Sequence, residues 1–136
     1  MGLNIRNSKL TKPSVDYLTK MLVNSETILT GLNLKYCFLP FDFVLPISNG
    51  LRVNKNLIKL DLSNNGLIPA VARYVLDALT VNMSVTEVNF HGNFLDNEFA
   101  VDLSYLIEQN VVLHTIDISA NPIGPEGAKY ILSSIL

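Results

Sequence analysis

Residues 57–67 read LIKLDLSNNGL. Taken alone, the segment DLSNNG is a polar turn of the kind that can hold a metal, a phosphate or a catalytic carboxylate. Its spacing says otherwise. Shifted by 28 positions, Leu57, Leu60, Leu62, Asn65 and Leu67 fall on Val85, Val88, Phe90, Asn93 and Leu95, and shifted again on Leu113, Ile116, Ile118, Asn121 and Ile123. Shifted backwards they fall on Leu29, Leu32, Leu34, Cys37 and Leu39. A fifth copy, Leu3, Ile5, Ser8 and Leu10, precedes the second by 29 residues. The four full registers keep the pattern L-x-x-L-x-L-x-x-N/C-x-L, so the chain is one unit used five times.

Each unit has two halves. KLDLS (59–63), EVNFH (87–91) and TIDIS (115–119) alternate with period two, which predicts a short strand. The following residues recur at helical spacing: Ala72, Val75, Leu76 and Leu79; Ala100, Leu103 and Ile107; Ala128, Ile131, Leu132 and Ile135. Pro69, Asn97-Glu98 and Pro125-Glu126 suit helix starts. Asn54, Asn82 and Asn110 are expected to close helices through the left-handed conformation that asparagine tolerates. Asn82 also opens an NMS sequon, for which the closing role is preferred over a glycan. The second helix, about 42–53, contains Pro46 and Asn49-Gly50 and is expected to be short, distorted or partly 3₁₀.

On these motifs the chain resembles the leucine-rich repeat family, in its ribonuclease-inhibitor-like subclass of strand–helix units, over essentially its whole length. The resemblance implies an α/β solenoid with parallel strands on a concave face and helices on the convex face. It implies one domain, 1–136, in repeats 1–28, 29–56, 57–84, 85–112 and 113–136. Stacking is required physically, because one unit cannot bury its own apolar face. Cys37 in the asparagine column is a swap the family allows, whereas Ser8 is weaker. Neither end carries a polar capping unit, so a fragment of a longer array is expected, with end-to-end self-association through the uncapped termini as a further possibility.

Composition narrows the class. Hydrophobic residues make up 49% and charged residues 16% of the chain, which excludes a disordered polypeptide. The single Cys37 cannot form an intramolecular disulfide, which points to a reducing, cytoplasmic setting. No apolar run has the length of a membrane span, and MGLNIRNSKLTK lacks the core of a signal peptide. The net charge of −2 hides an asymmetry: residues 1–56 hold seven basic and three acidic residues, and 57–136 hold three basic and nine acidic. No dense basic stripe exists, so nucleic acid is not an expected partner.

Asn65, Asn93 and Asn121 stand where strand turns toward helix, a place where a side-chain amide satisfies buried backbone groups. They are read, with Cys37, as structural. Alternation places Arg6, Lys35, Ser63, His91 and Ser119 on the open strand face with Lys59, Asp61, Glu87, Asn89, Thr115 and Asp117. Asp61 and Asp117 are two strands, roughly 9–10 Å, apart, too far to share a proton. His91 and His114 assemble no nucleophile–base set, and no metal spacing, phosphate loop or cofactor motif is present. Phe38, Phe41 and Phe94 occupy loop-edge columns, where exposed aromatics anchor interfaces.

No catalytic residue is assigned. The expected function is a non-catalytic protein-interaction scaffold, with partner-binding residues Lys35, Lys59, Asp61, Glu87, Asn89, His91 and Asp117 on the concave face and Phe38, Phe41 and Phe94 on the adjacent loops. Charge reversal at Asp61 and Glu87 is expected to weaken binding and spare the melting temperature. The resemblance also extends to Ran GTPase-activating proteins, tropomodulins and axonemal scaffolds, which implies a small-GTPase regulator or a cytoskeletal scaffold as alternatives. No arginine among Arg6, Arg52 and Arg73 is singled out for the former.

Overall fold

Three residues per unit suffice for a strand, because neighbours supply the rest of the ladder. A computed structural model describes all 136 residues. The strands are β1 (Gly2–Asn4), β2 (Gly31–Asn33), β3 (Lys59–Asp61), β4 (Glu87–Asn89) and β5 (Thr115–Asp117). They form one parallel sheet in sequence order, and the register places Gly2, Gly31, Lys59, Glu87 and Thr115 side by side. Each strand is followed by a helix: α1 (Lys12–Val23), α2 (Phe41–Val53), α3 (Pro69–Val81), α4 (Asn97–Gln109) and α5 (Pro125–Ile135). Strands stand about 4.8 Å apart, while packed helices need 8–10 Å, so the stack curves with the sheet inside.

The leucine columns form the core. Leu29, Leu32, Leu34, Leu57, Leu60, Leu62, Val85, Val88 and Phe90 are buried together with the inner stripes of α1 to α4. In α5 the stripe is uncovered. Ala128, Leu132 and Ile135 are exposed and Ile131 half-buried, because no further unit within these residues packs on that side.

Between the strand and helix layers run two asparagine ladders. In the first, Asn93 Oδ1 accepts the N–H groups of Asn65 (2.9 Å) and Leu67 (3.0 Å), while its Nδ2 donates to Leu62 O (3.2 Å) and Phe90 O (2.8 Å). Asn121 repeats this one unit on, serving Asn93 and Leu95. Asn65 serves Cys37 N–H (2.9 Å), and there the ladder thins: the Cys37 thiol reaches Ile5 O (3.2 Å) but supplies no comparable acceptor.

The second ladder corrects an expectation. Asn54, Asn82 and Asn110 do follow helices, but with φ of −67°, −75° and −93° they are extended, not left-handed. They are buried, and their amides bridge units. Asn82 Nδ2 donates to Leu51 O (2.8 Å) and Asn54 O (3.0 Å), and its Oδ1 accepts from Val85 N–H (2.8 Å). The sequon is thereby closed to modification in the folded chain, since its nitrogen is buried and engaged.

Helix α2 is also not the short or 3₁₀ element expected. It runs unbroken through Pro46 for 13 residues. Buried Val44, Ile47 and Leu51 hold it against both neighbours, and tertiary packing overrides the local preference. Gly50 is a close-approach residue: a Cβ there would lie 2.9 Å from Leu22 Cβ of α1.

The first ladder makes a stability prediction. Asn93→Ala orphans two buried N–H donors, of Asn65 and Leu67, and the Leu62 carbonyl, each costing about 1–3 kcal/mol if left unpaired, while Phe90 O keeps the Asn121 amide. A loss of roughly 3 kcal/mol or more in urea unfolding is expected; a loss under about 1 kcal/mol would show the amide to be dispensable.

Candidate functional site

The concave sheet face holds a trough of about 580 Å³ reached by residues of all five strands. Gly2 and Gly31 leave its floor bare at one end, and Lys59, Asp61, Glu87, Asn89 and Asp117 line the rest. The structure therefore gathers five of the seven expected concave residues. Lys35 and His91 flank the trough and do not line it. Lys59 and Glu87 pair across strands at 3.1 Å, and both remain well exposed, so the pair adds little stability.

The middle column does more than present polar groups. Asn4, Asn33, Asp61, Asn89 and Asp117 each turn Oδ1 back onto the N–H two residues on, at 3.2, 2.9, 2.9, 2.8 and 2.9 Å. Each closes an Asx turn that ends its strand. The atoms left over are Nδ2 of Asn4, Asn33 and Asn89 and Oδ2 of Asp61 and Asp117. Along the trough the rungs read donor, donor, acceptor, donor, acceptor. This was legible in principle, since an Asn or Asp stands at the same place in all five units.

Ser63, expected on the open face, is buried, and its hydroxyl donates to Asp61 Oδ1 at 2.5 Å. Asp61 is thus partly structural. Reversing its charge orphans Ser63, so Asp61 reversal is expected to lower the melting temperature, unlike reversal at Glu87.

The 28-residue register also assembles a triad of groups that sequence spacing left scattered. Ser119 Oγ donates to Asp117 Oδ1 (2.5 Å) and lies 2.7 Å from His91 Nδ1. Because the Ser119 hydroxyl donates to the carboxylate, the His91 imidazole, in its Nδ1–H form, donates to Oγ. A serine nucleophile needs the imidazole between serine and carboxylate, as acceptor of the hydroxyl proton. Here the serine is in the middle, and the arrangement fixes side chains.

The loop aromatics separate into three situations. Phe41 pairs with Tyr74 of α3, ring centroids 5.3 Å apart. Phe94 lies over Gly66, 3.8 Å from where a Cβ would stand. Phe38 is 76% exposed and has φ of +52°. Tyr36, two residues before it, has φ of +55°. The turn column Asn7, Tyr36, Asn64, Gly92 and Ala120 is left-handed in every unit, a conformation awkward for a bulky side chain. Burial pushes the Cys37 thiol up, away from the reactive thiolate. Arg73 is tied on the convex side to Asp102 (2.8 Å) and Glu98 (3.0 Å).

Models of the leucine rich repeat match residues 56–73 and 109–132. The chain is 29% identical over 134 residues to NACHT, LRR and PYD domains-containing protein 4E of Mus musculus, covering 98% of this chain and 14% of that protein. The chain therefore spans about one seventh of that relative. Its fold is similar to leiomodin-1 actin-binding site 2 (TM-score 0.75, 15% identity, 93% of this chain and 73% of that one). It is also similar to the tropomodulin C-terminal domain of Caenorhabditis elegans (TM-score 0.63, 17% identity, 89% and 90%). At these identities the likeness shows the fold.

The Asp117 carboxyl is held below the ordinary carboxylate range, first by the Ser119 hydroxyl, then by the Ser119 N–H, with His91 adding a smaller contribution. A lowered folded pKa stabilises the fold above the unfolded value of about 3.9 and loses that contribution as pH falls through the folded pKa. Ser119→Ala is expected to raise the Asp117 pKa toward its ordinary value, read by carboxyl-carbon NMR titration. An unmoved Asp117 would show that the hydroxyl is not its main partner.

Proposed function

We propose that this chain, a leucine-rich repeat protein, is a protein-interaction scaffold that receives a partner in its concave trough. One observation carries the reading: the trough is open along all five strands, and its floor is bare at Gly2 and Gly31. A partner segment lying across the strands meets amide donors at the Asn4 and Asn33 end and mainly carboxylate acceptors at the Asp61 to Asp117 end. Arg6 and Lys35 stand on the first side, Asp61, Glu87 and Asp117 on the second, which orients the partner as well as holding it. The scaffold role needs no catalytic residue, in line with the general use of leucine-rich repeat domains. A cytoplasmic setting is part of the proposal and rests on the free Cys37.

The cytoskeletal form of this reading is the one to test first, because leiomodin-1 carries the actin-binding name; co-sedimentation with filamentous actin addresses it. The small-GTPase form has no support from Arg73, whose guanidinium is already paired with two carboxylates. End-to-end self-association would use the uncovered stripe of Leu132 and Ile135, and sedimentation at rising concentration tests it.

The trough itself is tested by filling it. A Cβ at Gly31 would meet only Gly2 Cα, at an ordinary 3.6 Å, so a side chain fits there without disturbing the backbone. Gly31→Tyr is expected to lower affinity for the partner recovered by affinity purification at least about ten-fold, with an unchanged melting temperature. Glu87→Lys is expected to weaken it too, through the charge pattern. Full affinity in Gly31→Tyr would remove the trough from consideration.

A further inference from the structure

We propose that the turn edge of the first two repeats is a second docking surface, which takes a short acidic peptide segment through one large apolar side chain. A cleft of about 400 Å³ opens there between the turn after β1 and the turn after β2. Its walls include Lys9, Leu10, Tyr36, Phe38, Pro40 and Phe43, and none of the nine lining residues is acidic. The volume suits one phenylalanine, tryptophan or leucine side chain. The Lys35 ammonium sits 5.3 Å over the Tyr36 ring, and Lys9 lines the cleft, so two cations border an aromatic seat. The surrounding residues 1–56 hold seven basic against three acidic residues; of the acids, Asp42 at the start of α2 is nearest in sequence and does not line the cleft. An anchor flanked by glutamates or aspartates complements both features.

Backbone conformation is the independent observation. Tyr36 and Phe38 are both left-handed, and both rings are exposed, at 54% and 76%. At the Tyr36 position later units place Asn64, Gly92 and Ala120; at the Phe38 position they place Gly66, Phe94 and Pro122, of which only Gly66 shares the left-handed backbone, so Phe38 is the one bulky residue of its column held there. An exposed ring on a strained residue contributes little to folding that asparagine or glycine would not supply at lower cost. Bulky residues held in such conformations collect at ligand clamps. The two rings are placed for something outside the chain.

The proposal separates from a structural role by opposite signs. Tyr36→Asn and Phe38→Gly relieve the backbone, so the melting temperature is expected to hold or rise. The whole chain is panned against a displayed library of random peptides of roughly a dozen residues, and the enriched peptides are measured by fluorescence anisotropy. They are expected to combine acids with a large apolar residue, to bind Phe38→Gly at least about ten-fold more weakly, and to bind Lys9→Glu more weakly with a shallower salt dependence. Gly31→Tyr, which fills the trough, is expected to leave them bound, so this surface and the trough stand or fall separately. No enrichment, enrichment of basic or uncharged peptides, or indifference to Phe38→Gly would overturn the proposal. So would a lowered melting temperature in both turn variants, which would assign the rings to folding. Loss of self-association on Phe38→Gly would make a second copy the occupant and would equally overturn it.

Discussion

Everything in this fold depends on how a stacked unit satisfies the backbone where strand becomes helix and helix becomes strand. These corners are buried between neighbours, and buried N–H and C=O groups without partners are costly. Two asparagine ladders answer the problem, one at each corner. Asn65, Asn93 and Asn121 serve the strand-to-helix side, and Asn54, Asn82 and Asn110 the return. An amide suits because it donates and accepts at once, reaching a carbonyl of the preceding unit and N–H groups of its own or the preceding unit. The strand-to-helix corner is therefore held in register from unit to unit, and the one extra residue of the first unit is absorbed outside it, since Gly2 still pairs with Gly31 and Asn7 still matches Tyr36. The first unit, with a 29-residue spacing and Ser8 in the column, is where the strand-to-helix ladder ends.

The same economy ties the concave surface to the fold. Each rung of the middle column uses one side-chain atom to end its strand and keeps one for the trough. Asp61 and Asp117 each accept a backbone N–H and a serine hydroxyl on the same oxygen. A surface built this way is rigid before a partner arrives, which lowers the ordering cost of association. Under the proposed partner-binding role, recognition and stability overlap at Asp61, where Ser63 is buried, and come apart at Gly31 and Glu87.

Most of the architecture was legible from the repeat. Strand position, helix starts at Pro69, Asn97 and Pro125, the leucine core and the role of Asn65 and Asn93 all follow from period and alternation. What the sequence concealed belongs to register between units. The second asparagine ladder looks locally like a helix stop, and only the preceding unit's carbonyls distinguish bridge from cap. The proximity of His91 to Ser119 is a 28-residue contact with no short-range signature. Ser63 and Ser119 occupy the same column, yet the first is buried and the second exposed, because a neighbouring unit covers one and not the other.

Apart from Ser8 and the longer spacing of the first unit, the departures from pattern gather in one place. Cys37 in the asparagine column, left-handed Tyr36 and Phe38, Pro46 inside a helix, the buried Ser48 hydroxyl without a hydrogen-bond partner and the tightly seated Gly50 all fall in the second unit. In a solenoid the stability of a unit is set by its own propensity plus the two interfaces it makes. An interior unit is flanked on both sides and can carry local conflict that an end unit cannot. Placed there, the conflicts are tolerated, and places where every local rule bends together mark function more often than accident. The second unit borders both the bare end of the trough at Gly31 and the aromatic cleft at Phe38. One unit thus joins the two proposed docking surfaces, and its strain is concentrated on the turn between them.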